Sequence, residues 1–259
     1  MLNLLGMPPA ASAHAGDIDQ MMSLVHWLML VLFVGWGAFF AFVLVRFRRG
    51  ANPRASYVGA KGKFAKSTEV AVALIEVILL VFYAIPAWAK RVTNFPGGAD
   101  AVIVRVVGEQ FAWNIQYPGA DGKFGRTDPK LVSADNPLGL DRKDPDAKDD
   151  ITTINQLNLP VGHPVLVHLS SKDVIHSFGL YEMRIKQDAV PGLEMPVWFV
   201  PTVTTADMRT KLNNPMFEYE IACSQLCGLG HYRMRGFITV QSEADYQKWM
   251  AEQVKALAQ

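Results

Sequence analysis

The chain has 259 residues, half of them apolar, and carries 25 basic and 24 acidic side chains. This near balance of charge excludes the basic excess that is typical of general nucleic-acid-binding proteins, and the presence of only two cysteines excludes a disulfide-rich scaffold. Charged residues make up 19% of the chain, which is below the roughly 25% usual for soluble domains and indicates membrane-spanning segments.

Two apolar runs near the N-terminus are long enough to cross a bilayer. Leu24 to Val45 is 22 residues long with His26 as its only ionisable side chain, and Val70 to Ala89 is 20 residues long with Glu76 inside it. A bilayer core needs about 20 mostly apolar residues, so we expect both runs to span it as helices. A pair of buried core helices is the alternative.

The loop between the two runs, residues 46–66, contains seven basic and no acidic side chains. Basic loops stay on the cytoplasmic side of a membrane, so both termini are expected on the outer side. We therefore divide the chain into an outer N-terminal segment (residues 1–23), a transmembrane hairpin (residues 24–91) and an outer domain (residues 92–259). The expected location is a bacterial-type cell membrane, crossed twice, with the outer domain in the periplasm.

The outer domain consists of short segments of β-branched and aromatic residues separated by turn residues. Several such strands with no helix between them favour a β-sandwich, and the fold class is a membrane-anchored all-β protein. Ser242 to Asp245 resembles a capping box that begins a C-terminal helix ending near Leu257. The predicted strands are Val102–Val107, Phe111–Tyr117, Pro164–Leu169, Val174–Tyr181, Met195–Val200, Phe217–Ala222 and Gly236–Val240.

One stretch of this domain, residues 118–150, contains eight aspartates and six basic side chains with little apolar periodicity. This composition predicts a long, solvated surface insertion. Calcium binding is the weaker interpretation, because the aspartates do not follow the spacing of an EF-hand loop. From Val92 to the end the chain has 16 basic and 20 acidic side chains, so the outer domain is acidic.

The segment that carries chemistry holds both cysteines of the chain and reads Cys223-Ser-Gln-Leu-Cys227-Gly-Leu-Gly-His231-Tyr-Arg-Met234. Thiolates and a thioether are soft donors that favour copper over hard cations. A disulfide between the two cysteines would leave His231 and Met234 without a role. A tetrahedral zinc site has no use for Met234, and a blue-copper site needs only one cysteine. These three sites remain alternatives.

A dinuclear copper site would use all of these donors, with two thiolates bridging two metals and one imidazole on each metal. Such a site needs a second histidine from elsewhere in the chain. His176 is the best candidate because it lies in a predicted strand, next to a change from polar to apolar sequence. A hydrogen-bonded core histidine is the alternative role for His176.

These residues resemble subunit II of the haem–copper cytochrome c oxidases over nearly the whole chain. Further matching segments are Asp173-Val-Ile-His-Ser-Phe178, Lys186-Gln-Asp-Ala-Val-Pro-Gly192 and Gly108-Glu-Gln-Phe-Ala-Trp-Asn-Ile-Gln-Tyr117. The resemblance implies a cupredoxin Greek-key sandwich with a dinuclear copper-A centre. The implied ligands are the side chains of His176, Cys223, Cys227, His231 and Met234 and the main-chain oxygen of Gln225.

The same resemblance implies a function. The chain would accept electrons from cytochrome c at copper-A and pass them, with His231 as the exit ligand, to haem in subunit I, where oxygen is reduced to water and protons are translocated. The implied partners are subunit I, other oxidase subunits, the lipid bilayer and a soluble or membrane-bound cytochrome c. A copper-A subunit of a related nitric oxide reductase and a membrane-anchored copper carrier are the alternative functions.

Within the outer domain, the sequence departs from the family pattern at two positions. Gln225 stands where relatives commonly have a glutamate that helps to bind magnesium at the boundary with subunit I, so the expected magnesium site is weakened. Phe111 stands where many relatives have a tryptophan that receives the electron from cytochrome c. Trp113 is the second candidate for that role, and we expect it to line the contact with the donor.

Two carboxylates belong to the second apolar segment. Glu69 matches a family glutamate at the cytoplasmic mouth of a proton path into subunit I, and an interfacial carboxylate near Lys66 is the alternative. Glu76 stands where relatives often have proline. Because an ionised carboxylate that faces lipid is unfavourable, we expect Glu76 to face a partner helix.

Overall fold

The computed structural model describes residues 2–54, 57–58, 62–97 and 101–257. The chain forms two compact units, one with the long apolar helices and one with the β domain and residues 8–16. Within the predicted cytoplasmic loop, Lys61 lies outside the described residues.

Both apolar runs are helical, as predicted. Helix α1 comprises Ala15–Arg46, and the second run comprises α2 (Lys63–Leu79), a π-helical turn (Leu80–Ala84) and α3 (Ile85–Val92). Each run has the length and composition of a membrane-spanning helix. In each, the most apolar stretch of 18 residues contains no residue that is buried inside the protein. Buried core helices, the alternative interpretation, are therefore wrong for this chain.

The π turn in the second run has a local cause in the sequence. Pro86 is the second residue of α3, where it lacks an N–H and its ring would collide with the carbonyl group four residues earlier in a regular helix. One widened turn removes that conflict and lets the helix continue.

The β domain is a sandwich of two five-stranded sheets. The first sheet has the strand order β3-β2-β1-β5-β8 and the second the order β4-β10-β9-β6-β7. The pairs β1–β5 and β4–β10 are parallel, whereas the other neighbours are antiparallel. The strands are β1 Val102–Glu109, β2 Ala112–Tyr117, β3 Ile151–Ile154, β4 Gln156–Pro160, β5 Val165–Ser171, β6 His176–Leu180, β7 Ile185–Ala189, β8 Met195–Phe199, β9 Tyr219–Cys223 and β10 Arg235–Gln241.

The core lies between the two sheets and follows the alternation of side chains along each strand. Val104, Val106 and Ile115 of the first sheet and Phe178 and Ile221 of the second are all buried there. The last helix, α5 (Glu243–Leu257), begins where it was predicted, and the Ser242 hydroxyl accepts a hydrogen bond from the Asp245 N–H at its start.

The expectation of strands with no helix between them is wrong at one place. Helix α4 (Thr205–Leu212) lies between β8 and β9 and is capped by Thr204. Only Thr205 and Met208 of this helix are buried, so its sequence has almost no apolar periodicity by which to recognise it. All seven predicted strands exist with small shifts at their ends, and β3, β4 and β7 were not predicted.

Residues 118–150 are attached to the β domain more firmly than the predicted solvated surface insertion would be. Their last residue, Asp150, is fully buried and accepts hydrogen bonds from the Gln116 side chain (2.6 Å) and the Gly125 N–H (2.8 Å). Leu140 and Ala147 are also buried. The insertion is therefore attached to the first sheet at Gln116 of β2.

Candidate metal centre

Two strand ends and one loop bring the predicted ligands together. His176 is the first residue of β6 and Cys223 is the last residue of β9, and these antiparallel strands are neighbours in the second sheet. The loop after β9 carries Cys227 and His231 and returns to the sheet at Met234, just before β10 begins. A backbone hydrogen bond from Cys223 to Met234 closes this loop.

The donor atoms form one compact cluster around two free thiols. The two Sγ atoms are 3.8 Å apart. Cys223 Sγ lies 3.9 Å from His176 Nδ1 and 3.2 Å from the carbonyl oxygen of Gln225. Cys227 Sγ lies 3.6 Å from His231 Nδ1 and 3.7 Å from Met234 Sδ. The structure thus unites all six predicted ligands.

A hydrogen bond selects the atom of His176 that faces the thiols. His176 Nε2 lies 2.9 Å from Asp173 Oδ1, so a proton on this nitrogen points to the carboxylate, and Nδ1 is the ring nitrogen that faces Cys223. A carboxylate on the far side of a ligating imidazole is the usual partner that fixes its orientation in metal sites. Burial works against the charge of Asp173, but hydrogen bonds from His176 and from backbone N–H groups keep the pKa of its carboxyl below the usual range.

The two thiols differ in acidity. Burial disfavours the Cys223 thiolate, but hydrogen bonds from His176 and the backbone outweigh it and lower the pKa of Cys223 to about 6. Burial, and next the neighbouring Cys223, raise the pKa of Cys227 to about 11. A second negative charge in this pocket therefore requires a cation beside it.

Glycines allow the close approach of three segments at the cluster. A Cβ atom on Gly108 would lie 2.9 Å from the His176 ring and 3.2 Å from the Trp113 ring. A Cβ atom on Gly230 would overlap the ring of Phe111. The turn between β1 and β2 therefore packs against the loop that carries the cysteines, and the ring of Phe111 makes the contact at Gly230.

Trp113 does not line a surface, contrary to the expectation from sequence. Its side chain is fully buried, and its ring meets those of His176 and Phe178 edge to face at 6.0 and 5.6 Å. Phe111 is partly buried against the core. The exposed apolar side chains of the loop that carries the cysteines are Leu226, Leu229 and Tyr232, which sequence reasoning did not single out.

The other predicted residues occupy separate places. Glu69 and Glu76 lie in α2, seven residues apart, and both are exposed on the isolated chain. Gln225 lies in the cysteine loop with an exposed side chain. Sequence reasoning named neither Asp173 nor Gln110 individually, although both lie in quoted segments.

The cluster has the chemistry of a soft-metal site. In the part of the chain that the structure describes, the nitrogen of His176 and the sulfurs of both cysteines lie within 4.8 Å of one another, close enough to share one ion. Two thiols, two imidazoles with a ring nitrogen toward a thiol, and a thioether fit copper better than a hard cation.

Comparison with known proteins identifies the family of the β domain. Residues 102–242 match the family model described as cytochrome c oxidase subunit II, periplasmic domain. The chain belongs to the cytochrome c oxidase subunit II family. The resemblance seen in the sequence is therefore confirmed, as is the membrane-anchored β-sandwich fold.

Two relatives and one solved structure illustrate the extent of the similarity. The alternative cytochrome c oxidase subunit 2 of Bradyrhizobium diazoefficiens is 33% identical over 92% of this chain and 80% of its own length. The cytochrome c oxidase subunit 2 of Cereibacter sphaeroides is 25% identical over 97% of this chain and 83% of its own length. The crystal structure of the periplasmic domain of subunit II of cytochrome oxidase of Bradyrhizobium japonicum is 24% identical, with a TM-score of 0.43 over 63% of this chain and 99% of that one.

Membership of the subunit II family has direct consequences. The chain is a membrane-anchored component of an oxidoreductase complex, and its partners include other oxidase subunits.

Proposed function

We propose that this subunit holds a dinuclear copper-A centre through His176, Cys223, Gln225, Cys227, His231 and Met234. The observation that carries the proposal is the pair of sulfurs 3.8 Å apart, each with an imidazole nitrogen within 3.9 Å. When bound, the copper pair would supply a one-electron redox centre between cytochrome c and the haem of subunit I.

The alternatives to a copper pair leave parts of this arrangement without a role. A disulfide requires two sulfurs about 2.05 Å apart, whereas the two cysteines are free. Zinc in a tetrahedral site would not use Met234, whose sulfur lies 3.7 Å from Cys227 Sγ. A mononuclear blue-copper site uses only one cysteine, so the second thiol would have no role in binding the metal.

The fold buries most of the donors of the cluster. His176 is fully buried, and Cys227 and Met234 are nearly so, so water is excluded from most of the cluster. Fixed donors in a dry pocket reduce the rearrangement that accompanies a change of charge. A copper carrier needs exposed, exchangeable ligands, and these buried donors favour the oxidase role over it.

His231 is suited to the exit side of the centre. Its ring is half-buried and lies in the loop that also exposes Leu226, Leu229 and Tyr232. We propose that this loop meets subunit I and that Gln225, with its neutral side chain, contributes only weakly to a magnesium site there. Phe111, which is only partly buried, remains the proposed residue on the electron-accepting side, whereas the fully buried Trp113 does not contact the donor.

The proposal extends to the membrane unit and to location. We propose that the copper domain and both termini face the periplasm, because the loop of residues 46–66 is basic. Glu69 is proposed to stand at the cytoplasmic mouth of a proton path in subunit I. Oxygen reduction and proton translocation would take place in subunit I, for which this chain supplies electrons.

Metal analysis and electron paramagnetic resonance of the purified oxidase test the function. We expect two coppers in this subunit and one unpaired electron split by two equivalent copper nuclei. Cys227→Ser should abolish this signal, whereas Ser224→Ala in the same loop should keep it. One copper, or a preference for zinc, would contradict the proposal.

A further inference from the structure

We propose that Gln110 is a positioning residue that ties the two halves of the donor cluster together. It lies in the turn between β1 and β2 and makes two hydrogen bonds in opposite directions. Its backbone N–H donates to Asp173 Oδ2 at 2.8 Å, and its side-chain Nε2 donates to the carbonyl oxygen of Cys227 at 2.6 Å. The inference rests on the proposed function, since it concerns the same cluster.

The first bond reaches the His176 side of the cluster. Asp173 accepts from Gln110 through one carboxylate oxygen and faces His176 Nε2 through the other, at 2.9 Å. The position of the Gln110 backbone therefore fixes the carboxylate, and the carboxylate fixes the plane of the imidazole. Because a backbone amide has no rotamers, this link is stiffer than one between two side chains.

The second bond reaches the Cys227 side. The loop from Cys223 to Met234 is joined to the second sheet at its start, where the Ser224 N–H donates to the Ser177 carbonyl at 2.9 Å. Gln110 holds the loop at its middle, at the residue whose sulfur lies next to both His231 and Met234. Moving the Cys227 carbonyl would move that sulfur relative to Cys223.

The sequence makes room for this link. Gly228 follows Cys227 directly and has φ +136°, a conformation that favours glycine. A Cβ atom there would lie 2.7 Å from Gln110 Nε2, which is too close for the amide to stay. The chain Cys227–Gln110–Asp173–His176 therefore depends on a glycine at 228, and it connects residues that are distant in sequence.

Two variants of Gln110 test the inference in the full-length chain, assembled in the oxidase. Gln110→Glu keeps the shape but places an oxygen against the Cys227 carbonyl, and Gln110→Met keeps the length without a donor. Outer-shell partners of metal ligands typically contribute 10- to 100-fold in affinity. We expect copper loss to a chelator to accelerate at least about 10-fold in both variants, with altered copper hyperfine splitting and midpoint potential. The exposed Gln247→Glu on α5 serves as the matched control.

A metal-free readout keeps the test independent of the proposed function. In the apo chain we expect amide hydrogen exchange of residues 225–230 to rise about 10-fold in Gln110→Met while β1 and β5 keep their protection, which shows that the sandwich is folded. Wild-type loop exchange in both variants, together with wild-type copper retention, would overturn the positioning role. Failure of the wild type to bind two coppers would instead contradict the proposed function, and the exchange result would still decide the role of Gln110.

Discussion

His176 has two ring nitrogens, and its neighbours give them different tasks. Nε2 faces Asp173 at 2.9 Å, and Nδ1 faces the thiol of Cys223. At the other imidazole, Nδ1 of His231 faces Cys227 at 3.6 Å. Single contacts of this kind decide which atoms can bind a metal, and small residues around them decide how closely the segments approach.

Gly230 is the residue at which this close approach is easiest to test. Gly230→Ala should destabilise the β domain by about 1–3 kcal/mol, because the new methyl group would overlap the ring of Phe111. Chemical denaturation of the chain in detergent, followed by tryptophan fluorescence, measures the loss. In the Phe111→Ala background the loss should shrink, since the overlapping ring is gone.

The control for this prediction is Gly97→Ala, at a glycine where an added Cβ atom meets nothing within 4 Å. Its effect should stay within about 1 kcal/mol. Equal effects of the two substitutions would refute the contact with Phe111 as the cause.

At the scale of elements, the insertion of residues 118–150 is the clearest case of a segment fixed by a few internal bonds. Its many aspartates mostly cap its own turns, as Asp128 and Asp144 do for two short 3₁₀ helices. Of its eight aspartates only Asp150 is buried, and it reaches the first sheet at Gln116. The stability of the insertion should therefore depend on Asp150 far more than on its exposed carboxylates.

Replacing Asp150 by alanine should lower the free energy of unfolding by about 1–3 kcal/mol. The substitution leaves the buried donors of Gln116 and Gly125 without their acceptor. Thermal unfolding of the chain in detergent measures the change. The exposed Asp135→Ala in the same insertion should change it by less than about 0.5 kcal/mol, and a similar loss at both positions would be evidence against the anchor.

The acidity of Asp150 gives a second test of the same element. Burial raises the pKa of this carboxyl, only partly opposed by its hydrogen bonds from Gly125 and Gln116. The folded protein therefore keeps the proton to a higher pH than the unfolded chain, which loses it near pH 3.9, and stability falls as the pH rises through this window.

Asp150→Asn removes this titration. We expect the unfolding free energy of the variant, measured from about pH 3 to pH 6, to increase relative to that of the wild type as the pH rises. The unfolding free energy of the control variant Asp135→Asn should depend on pH in the same way as that of the wild type. A constant difference between Asp150→Asn and the wild type would mean that the buried carboxyl keeps its ordinary pKa.

At the scale of the whole molecule, charge is separated along the chain. The loop of residues 46–66 is basic, whereas the part from Val92 onward has 20 acidic and 16 basic side chains. Eight of those acidic side chains belong to the insertion. On the proposed function, the acidic β domain would favour encounter with a basic electron donor, mainly through the rate of association.

Turnover of the oxidase with a basic cytochrome c should therefore fall as ionic strength rises. The double variant Asp121→Asn with Asp135→Asn, at two exposed positions of the insertion, should make turnover slower at low salt and less dependent on salt. Steady-state oxygen consumption across a salt series measures this. Glu218→Gln with Glu252→Gln removes the same charge elsewhere in the domain as a control, and turnover independent of salt would end the electrostatic account.

The sequence by itself determined the two apolar helices and the β-sandwich, and donor chemistry singled out Cys223, Cys227, His231 and Met234, because hydropathy, strand alternation and donor chemistry are local signals. On the residues alone His176 is only a candidate, and the main-chain oxygen of Gln225 follows only from the resemblance to the family. The sequence did not determine α4, whose two buried residues leave no periodic pattern, or the burial of Trp113, which depends on His176 and Phe178 across the sandwich. Only the tertiary structure brought Gln110 to Cys227, 117 residues away in sequence. Contacts of that range follow from how the sheets pack, and no single segment encodes them.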